Sequence, residues 1–223
     1  KLYRQWGADG KARAMRSALP FLDASDDPGN ASNRYTDVLD YQALLRASQA
    51  LASERSLRQL VARVVELVSQ LTGATDARLM LLDEKDGWYL EGGLRGNERL
   101  SRRAWREAEA EGIIAASVLR LGLKTLQPVV SEDAVIDSRF TADPHFANLR
   151  LCSLLALPVL VHGRVSAFLT LENRLFRAAF TAERIETVVL LCAQLAISIE
   201  NVQLYQSLER KVAERTSALE AAN

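Results

Sequence analysis

A chain of 223 residues, 48% of them hydrophobic, is long enough for one or two domains with a real core. Its 28 basic and 28 acidic side chains cancel and no basic block stands out, which argues against nucleic acid as a partner. No continuous run of about eighteen apolar residues occurs, so no membrane span is expected, and two distant cysteines, Cys152 and Cys192, fit a reducing cytoplasm rather than a disulfide framework.

The chain starts at Lys1 with no signal-peptide pattern, and it is expected to be a piece of a longer protein. Residues 1–19 read as the end of an upstream helical region, with Leu2, Trp6, Ala12, Met15 and Leu19 apolar and Pro20 stopping it. Residues 20–36, holding Pro28, Gly29, Asn30 and Asn33, read as a linker. A helix is predicted over Thr36–Ala52, with Val38, Tyr41, Leu45, Ser48 and Ala52 on one face. Ser56 and Gln59 have capping-box spacing and open a second helix to Leu71, whose stripe is Leu57, Leu60, Val61, Val64, Val68 and Leu71. Gly73 ends it.

Strands follow at Ala77–Leu82 and Trp88–Leu94, the second weakened by Gly92 and Gly93. Residues 95–106 are polar and read as irregular. A short amphipathic helix is predicted over Ile113–Leu123, a short strand at 128–130, and a loop over 131–150. Ser153–Val161 and Val165–Glu172 flank His162-Gly163-Arg164 as a tight hairpin. Thr181 can cap the last helix, with Glu183 in its first turn.

That last helix runs to Asn223 without Pro or Gly. Ile185, Val188, Cys192, Leu195, Ile199 and Val202 recur in steps of three and four, as in a coiled-coil seam. Tyr205, Leu208, Val212 and Leu219 continue it, but the step from Val202 to Tyr205 is three where four is due. The first half is surrounded by further apolar residues, the second by charges. One helix with two jobs is expected: residues up to about 204 inside a domain, residues 205–223 as an output coil. The order of elements indicates an α+β domain on a central antiparallel sheet. Its long N- and C-terminal helices would share one face, and loops on the other would cover a ligand-type pocket.

Several stretches resemble a GAF domain: Leu39-Asp40-Tyr41 through Leu71-Thr72-Gly73-Ala74, Ser153-Leu154-Leu155-Ala156-Leu157-Pro158-Val159, Leu171-Glu172-Asn173-Arg174, and Ala193 to Asn201. The resemblance covers about residues 38–208 in the right order and assigns residues 37–204 to the GAF domain. Glu214-Arg215-Thr216 is similar to the helix joining a sensor to a histidine kinase. Tyr3 to Ala8 is similar to the end of a helical-repeat region that, in large bacterial signalling proteins, follows an ATPase-like part. The resemblance implies a cytoplasmic bacterial sensor, a homodimer made through the N- and C-terminal helices, and a kinase domain in cis. The dimer and signalling positions would be Tyr41, Leu45, Ile199, Val202, Tyr205, Leu208, Val212 and Leu219.

Candidate ligand-binding residues are Trp88, Asp137, Arg139, Phe140, Asp143, His145, Phe146, Arg150 and Cys152. Asp137, Arg139 and Asp143 read either as ion pairs inside the loop or as polar contacts to a ligand. Cys152 reads either as a small buried hydrophobe or as a thiol made reactive by Arg150. His162 reads as a turn residue. No Cys-His pair precedes the core strand, as a covalent bilin would need, and a single pocket cysteine argues against methionine sulfoxide reduction. Asn173-Arg174, Phe180 and Glu183 partly match a cyclic-nucleotide signature and are read as structural. No catalytic motif, metal cluster or cofactor is expected. A sensory module leads, with a ligand-free dimerisation spacer and a cysteine redox sensor as alternatives.

Overall fold

The computed structural model describes residue 54, residues 56–83 and residues 87–222. The expected upstream helix, the linker, and Tyr41 and Leu45 lie outside the described residues. Helix α1 (Leu57–Thr72) buries Leu60, Val61, Val64, Val65 and Val68 along one stripe. Ser56 stands at its N-cap in extended conformation, yet its side chain makes no cap bond, so the expected capping box does not form. The C-terminal end closes as the sequence indicates. Gly73 is left-handed at φ 70° and its N–H donates to the Ser69 carbonyl.

The strands are β1 (Asp76–Asp83), β2 (Gly87–Arg95), β3 (Glu98–Leu100), β4 (Arg103–Ala104), β5 (Val129–Ser131), β6 (Ser153–Val161) and β7 (Arg164–Asn173). They form one antiparallel sheet in the order β3-β2-β1-β7-β6-β5, with β4 also on β2. Residues 95–106 are therefore not irregular. They supply β3, β4 and the start of α2 (Trp105–Ala110). Their polarity hid this because β3 is an edge strand in which only Leu100 is buried. Pro158 fits its strand for a similar reason: β5 pairs with β6 only up to Ala156, so Pro158 lies where that side of β6 is open.

Two glycines are set by close approach. A Cβ on Gly93 would lie 2.4 Å from the Ala77 carbonyl oxygen, where β2 crosses β1. A Cβ on Gly122, in α3 (Ala116–Thr125), would lie 2.4 Å from the Phe168 ring. Next to Gly92 the β1–β2 register slips, leaving Glu91 as a bulge between the pairs Leu79–Gly92 and Met80–Leu90.

Alternation along the strands separates two cores. On one face Leu79, Leu81, Leu155, Leu157, Leu169 and Leu171 pack beneath α1 and α4 (Ala182–Ala222). On the other, Met80, Leu90, Leu154, Ala156 and Phe168 pack beneath α3 and the 132–150 loop, with Ile113, Leu119, Phe140 and Phe146.

The first half of helix α4 is buried inside the domain as expected, which corrects only the placing of Ile199 and Val202 at a dimer surface. Val188, Cys192, Leu195, Ile199 and Val202 are buried against the chain's own sheet and α1, so this seam is used inside the domain. Ile199 and Val202 are 0% exposed, and neither is available to a second copy. Tyr205, Leu208 and Val212 are exposed, and the Leu219 side chain lies outside the described set. The odd step at Val202–Tyr205 marks where the buried face ends. Part of Ala182–Thr216 is long and apolar enough to cross a membrane by length and composition. The inner face of that segment is buried by the domain itself.

Candidate functional site

The centre of the site is a buried ion network that the sheet assembles. β1 contributes Asp76 and Arg78, and β7 contributes Glu172, directly opposite Asp76. Arg78 Nη1 donates to Glu172 Oε1 (2.6 Å) and Nη2 to Asp76 Oδ1 (3.3 Å). Just beyond β7, Arg174 donates through Nε and Nη2 to Glu172 Oε2 (3.2 and 2.8 Å). Arg78 is 1% exposed and Glu172 0%. Charges so placed persist only when each is paired and hydrogen-bonded. Burial by itself raises the Glu172 carboxyl. Arg78, the His145 hydrogen bond and Arg174 outweigh it and hold the group well below the usual carboxylate range.

His145 ties the loop to this network. Its Nε2 lies 2.7 Å from Glu172 Oε1 and its Nδ1 lies 2.9 Å from the Gly112 carbonyl oxygen. Both neighbours are acceptors. A doubly protonated ring satisfies both, a neutral ring only one. Phe146 packs edge-on against the imidazole at 4.9 Å, and Phe140 lies 6.0 Å from Phe146. These two rings fill the space beneath the loop. The lid is therefore closed over an apolar floor and pinned to the ion network through His145.

The acidic loop residues act within the loop. Asp143 Oδ2 accepts from the Ser117 N–H and hydroxyl (2.8 and 2.6 Å), setting an anion at the start of α3. Asp143 Oδ1 accepts from the His145 N–H. Asp137 accepts from Arg139 and from the Ser131 hydroxyl, and Arg139 also donates to the Val130 carbonyl. The Arg139 hydrogen bonds hold the Asp137 carboxyl well below its ordinary value, against the opposing effect of burial. Asp133, which the sequence reading passed over, accepts from the Cys152 and Val135 N–H groups.

Cys152 is fully buried, and its thiol lies within 3.8 Å of the Ser153 carbonyl. Burial, reinforced by Glu172, pushes the thiol strongly up. Arg150 is exposed and does not activate it. The reactive-thiol reading is thereby corrected: Cys152 packs. Cys192 is likewise pushed up to about 12 by burial.

His145 and Cys152 thus lie near Glu172, with Phe146 packed against the imidazole and Phe140 beyond it, while Asp137 and Arg139 brace the loop near β5. Trp88 lies apart, at the outer end of β2 beside Trp105. Asn173 serves structure. Its Nδ2 donates to the Gly73 carbonyl and its Oδ1 accepts from the Leu175 and Phe176 N–H groups. His162 holds φ 50° in the β6–β7 turn. Among the described residues, no group of His, Cys, Asp and Glu is placed to hold a metal ion. Arg78 and Glu172 were missed by the sequence reading. The available signal was a charge within an otherwise apolar strand.

A sequence model described as GAF domain matches residues 56–199. The chain is 28% identical over 109 residues, 49% of its length, to the hybrid signal transduction histidine kinase G of Dictyostelium discoideum, and it spans 3% of that protein. It is similar in structure to the GAF domain of an Acinetobacter phosphoenolpyruvate-protein phosphotransferase, with TM-score 0.57, 21% identity, and coverage of 74% of this chain and 95% of that one. The corresponding domain from Coxiella burnetii gives TM-score 0.57 at 17% identity, covering 75% and 96%.

Proposed function

The chain belongs to the GAF domain family, and from that membership we propose that it is a cytoplasmic, non-catalytic sensory module that acts as a homodimer and passes the state of its lid through α4 to a kinase domain in cis. The likeness to a histidine kinase supports the kinase, although the chain matches only a small part of that protein. The observation that carries the reading is the outer face of α4. Leu190, Ile197 and Leu204 are 57%, 53% and 55% exposed, on the side away from buried Val188, Leu195 and Ile199. The stripe repeats every eleven residues: Leu190, Asn201 and Val212; Ala193 and Leu204; Ile197 and Leu208. An eleven-residue repeat keeps one face of a helix on a partner with a right-handed supercoil. The occupant is a second copy in parallel register, since a two-fold pair sets each stripe residue beside its equivalent. Glu209 and Lys211 flank the stripe on opposite sides and meet their oppositely charged counterparts in that arrangement.

Disulfide cross-linking of the full 223-residue chain tests this. Ile197→Cys and Leu208→Cys cross-link two copies, and opening the lid with His145→Ala changes the yield at position 208. A monomeric chain, or a lid opened without effect on the rod, overturns the proposal. The closed lid, with Phe140 and Phe146 in the space beneath it, also favours a second reading, a dimerisation spacer with no ligand of its own. On that reading the dimer forms but His145→Ala leaves the cross-linking unchanged.

A further inference from the structure

Away from the lid, a cleft of about 740 Å³ opens at the outer end of β2, between β4, α2 and α3. That volume is in the range of small-molecule sites. Trp88 from β2 and Trp105 from the first position of α2 form its aromatic walls. Each is half-buried, with part of its surface packed on the lid-side core and the rest facing the cleft. Tyr89 also lines the cleft, but its ring packs on the helix-side core, and the Arg102 guanidinium lies 4.2 Å from its centroid and is ion-paired with Glu91. Arg103 is paired with Glu111. Arg106 is exposed and makes no hydrogen bond or ion pair with another described residue. Of the three lining guanidiniums, Arg106 alone is left without a carboxylate partner among the described residues, and Glu107 is the one lining carboxylate.

This composition selects a ligand class. Indole faces bind flat rings. A guanidinium binds an anionic group in two-point fashion and stacks on aromatic rings. An apolar ligand would leave Arg106 unmatched, and an inorganic anion would leave both indoles unused. We propose that the cleft binds a small planar aromatic anion, a ring of one or two fused cycles carrying a carboxylate or a phosphate. Trp88 and Trp105 hold the ring, and Arg106 holds the anionic group. The site shares no residue with the Glu172 network but has a short route to it. Helix α2 begins at Trp105, and two residues past its end the Gly112 carbonyl meets His145. Binding itself does not rest on the homodimer or on the relay through α4.

The test is isothermal titration of the full chain with 1-naphthoate, 1-naphthyl phosphate, 1-naphthol and inorganic phosphate. At least one naphthyl anion is expected to bind with submillimolar affinity, at least tenfold tighter than naphthol or phosphate alone. Comparison of the two anions tells carboxylate from phosphate. Arg106→Ala, at an exposed position, keeps the melting temperature of the parent and weakens the preferred anion at least tenfold. Trp105→Phe, which keeps an aromatic wall, weakens it less than Arg106→Ala. If neither naphthyl anion binds below millimolar, or binding is unchanged in Arg106→Ala, the proposal fails.

Discussion

Glu172 and His145 meet at 2.7 Å although they lie on different layers of the domain, one in the central sheet and the other in the loop above it. The contact joins the lid to β7, which is buried from Ala167 to Asn173. His145→Ala leaves Glu172 with Arg78 and Arg174 but frees the loop. It should cost roughly 2–3 kcal/mol, as loss of a hydrogen bond to a buried charge does, read by urea unfolding. Hydrogen exchange should rise across residues 132–150 and stay unchanged in α1. Uniform exchange across the chain would mean that the contact has no special hold on the lid.

The carboxyls of Glu172 and Asp137 are depressed in the folded state. A depressed carboxyl contributes stability that is full above its unfolded value, about pH 4, and is lost as pH falls toward the folded value. Their contribution to stability should therefore be constant near neutrality and decline as pH drops below about 4. Asp137→Asn removes one contributor and should make the acid limb shallower in pH-dependent melting curves. An acid limb identical to the parent's would contradict the role given to the Arg139 pair.

The packing of Gly122 on Phe168 can be probed by a pair of changes. Gly122→Ala places a methyl against the ring and should cost about 1–3 kcal/mol by overpacking. In Phe168→Leu, the smaller side chain should accept the added methyl, so the double variant should be less destabilised than the two single costs added together. Strict additivity in denaturation midpoints would show that the two positions do not press on each other.

Neither cysteine should react with a thiol reagent in the native state at neutral pH, because burial raises both thiols. Both should react fully in denaturant. Cys152→Ala should lower stability by about 1 kcal/mol, through lost packing, without altering any oxidant response. Rapid native labelling at position 152, seen by mass spectrometry, would reopen the redox reading.

Opposite faces of α4 should fail differently. Ile199→Ala should destabilise the fold by about 2–5 kcal/mol, as loss of a buried side chain does. Leu204→Asp should leave the melting profile of the domain intact while abolishing association in sedimentation. If Leu204→Asp has no effect on association, the stripe is not the dimer surface.

The sheet and both helical layers were legible because alternation and the three-to-four spacing report burial directly, as in β6 and α1. The short strands around Leu100 and Ala104 were not, because an edge strand exposes most of its side chains and reads as loop. The final helix misled for a physical reason. A helix buried against a sheet and a helix buried against a twin present the same apolar spacing, so Ile199 and Val202 fit either. What separates them is which other face is also apolar, and Leu190 and Ile197 carried that information. The ionic centre stayed hidden because Arg78 and Glu172 are 94 residues apart and only strand register brings them together.

Helix α4 runs 41 residues without interruption by Gly or Pro, about 60 Å at ~1.5 Å per residue. Its root is clamped along one side by the sheet and α1. A clamped, unbroken shaft of this kind resists flexing near its base but still admits a twist about its own axis. Turning the root by one tooth of packing would swing every exposed residue beyond Val202 through the same angle. Torsion, rather than tilt, is the motion that this geometry delivers undiminished to its far end.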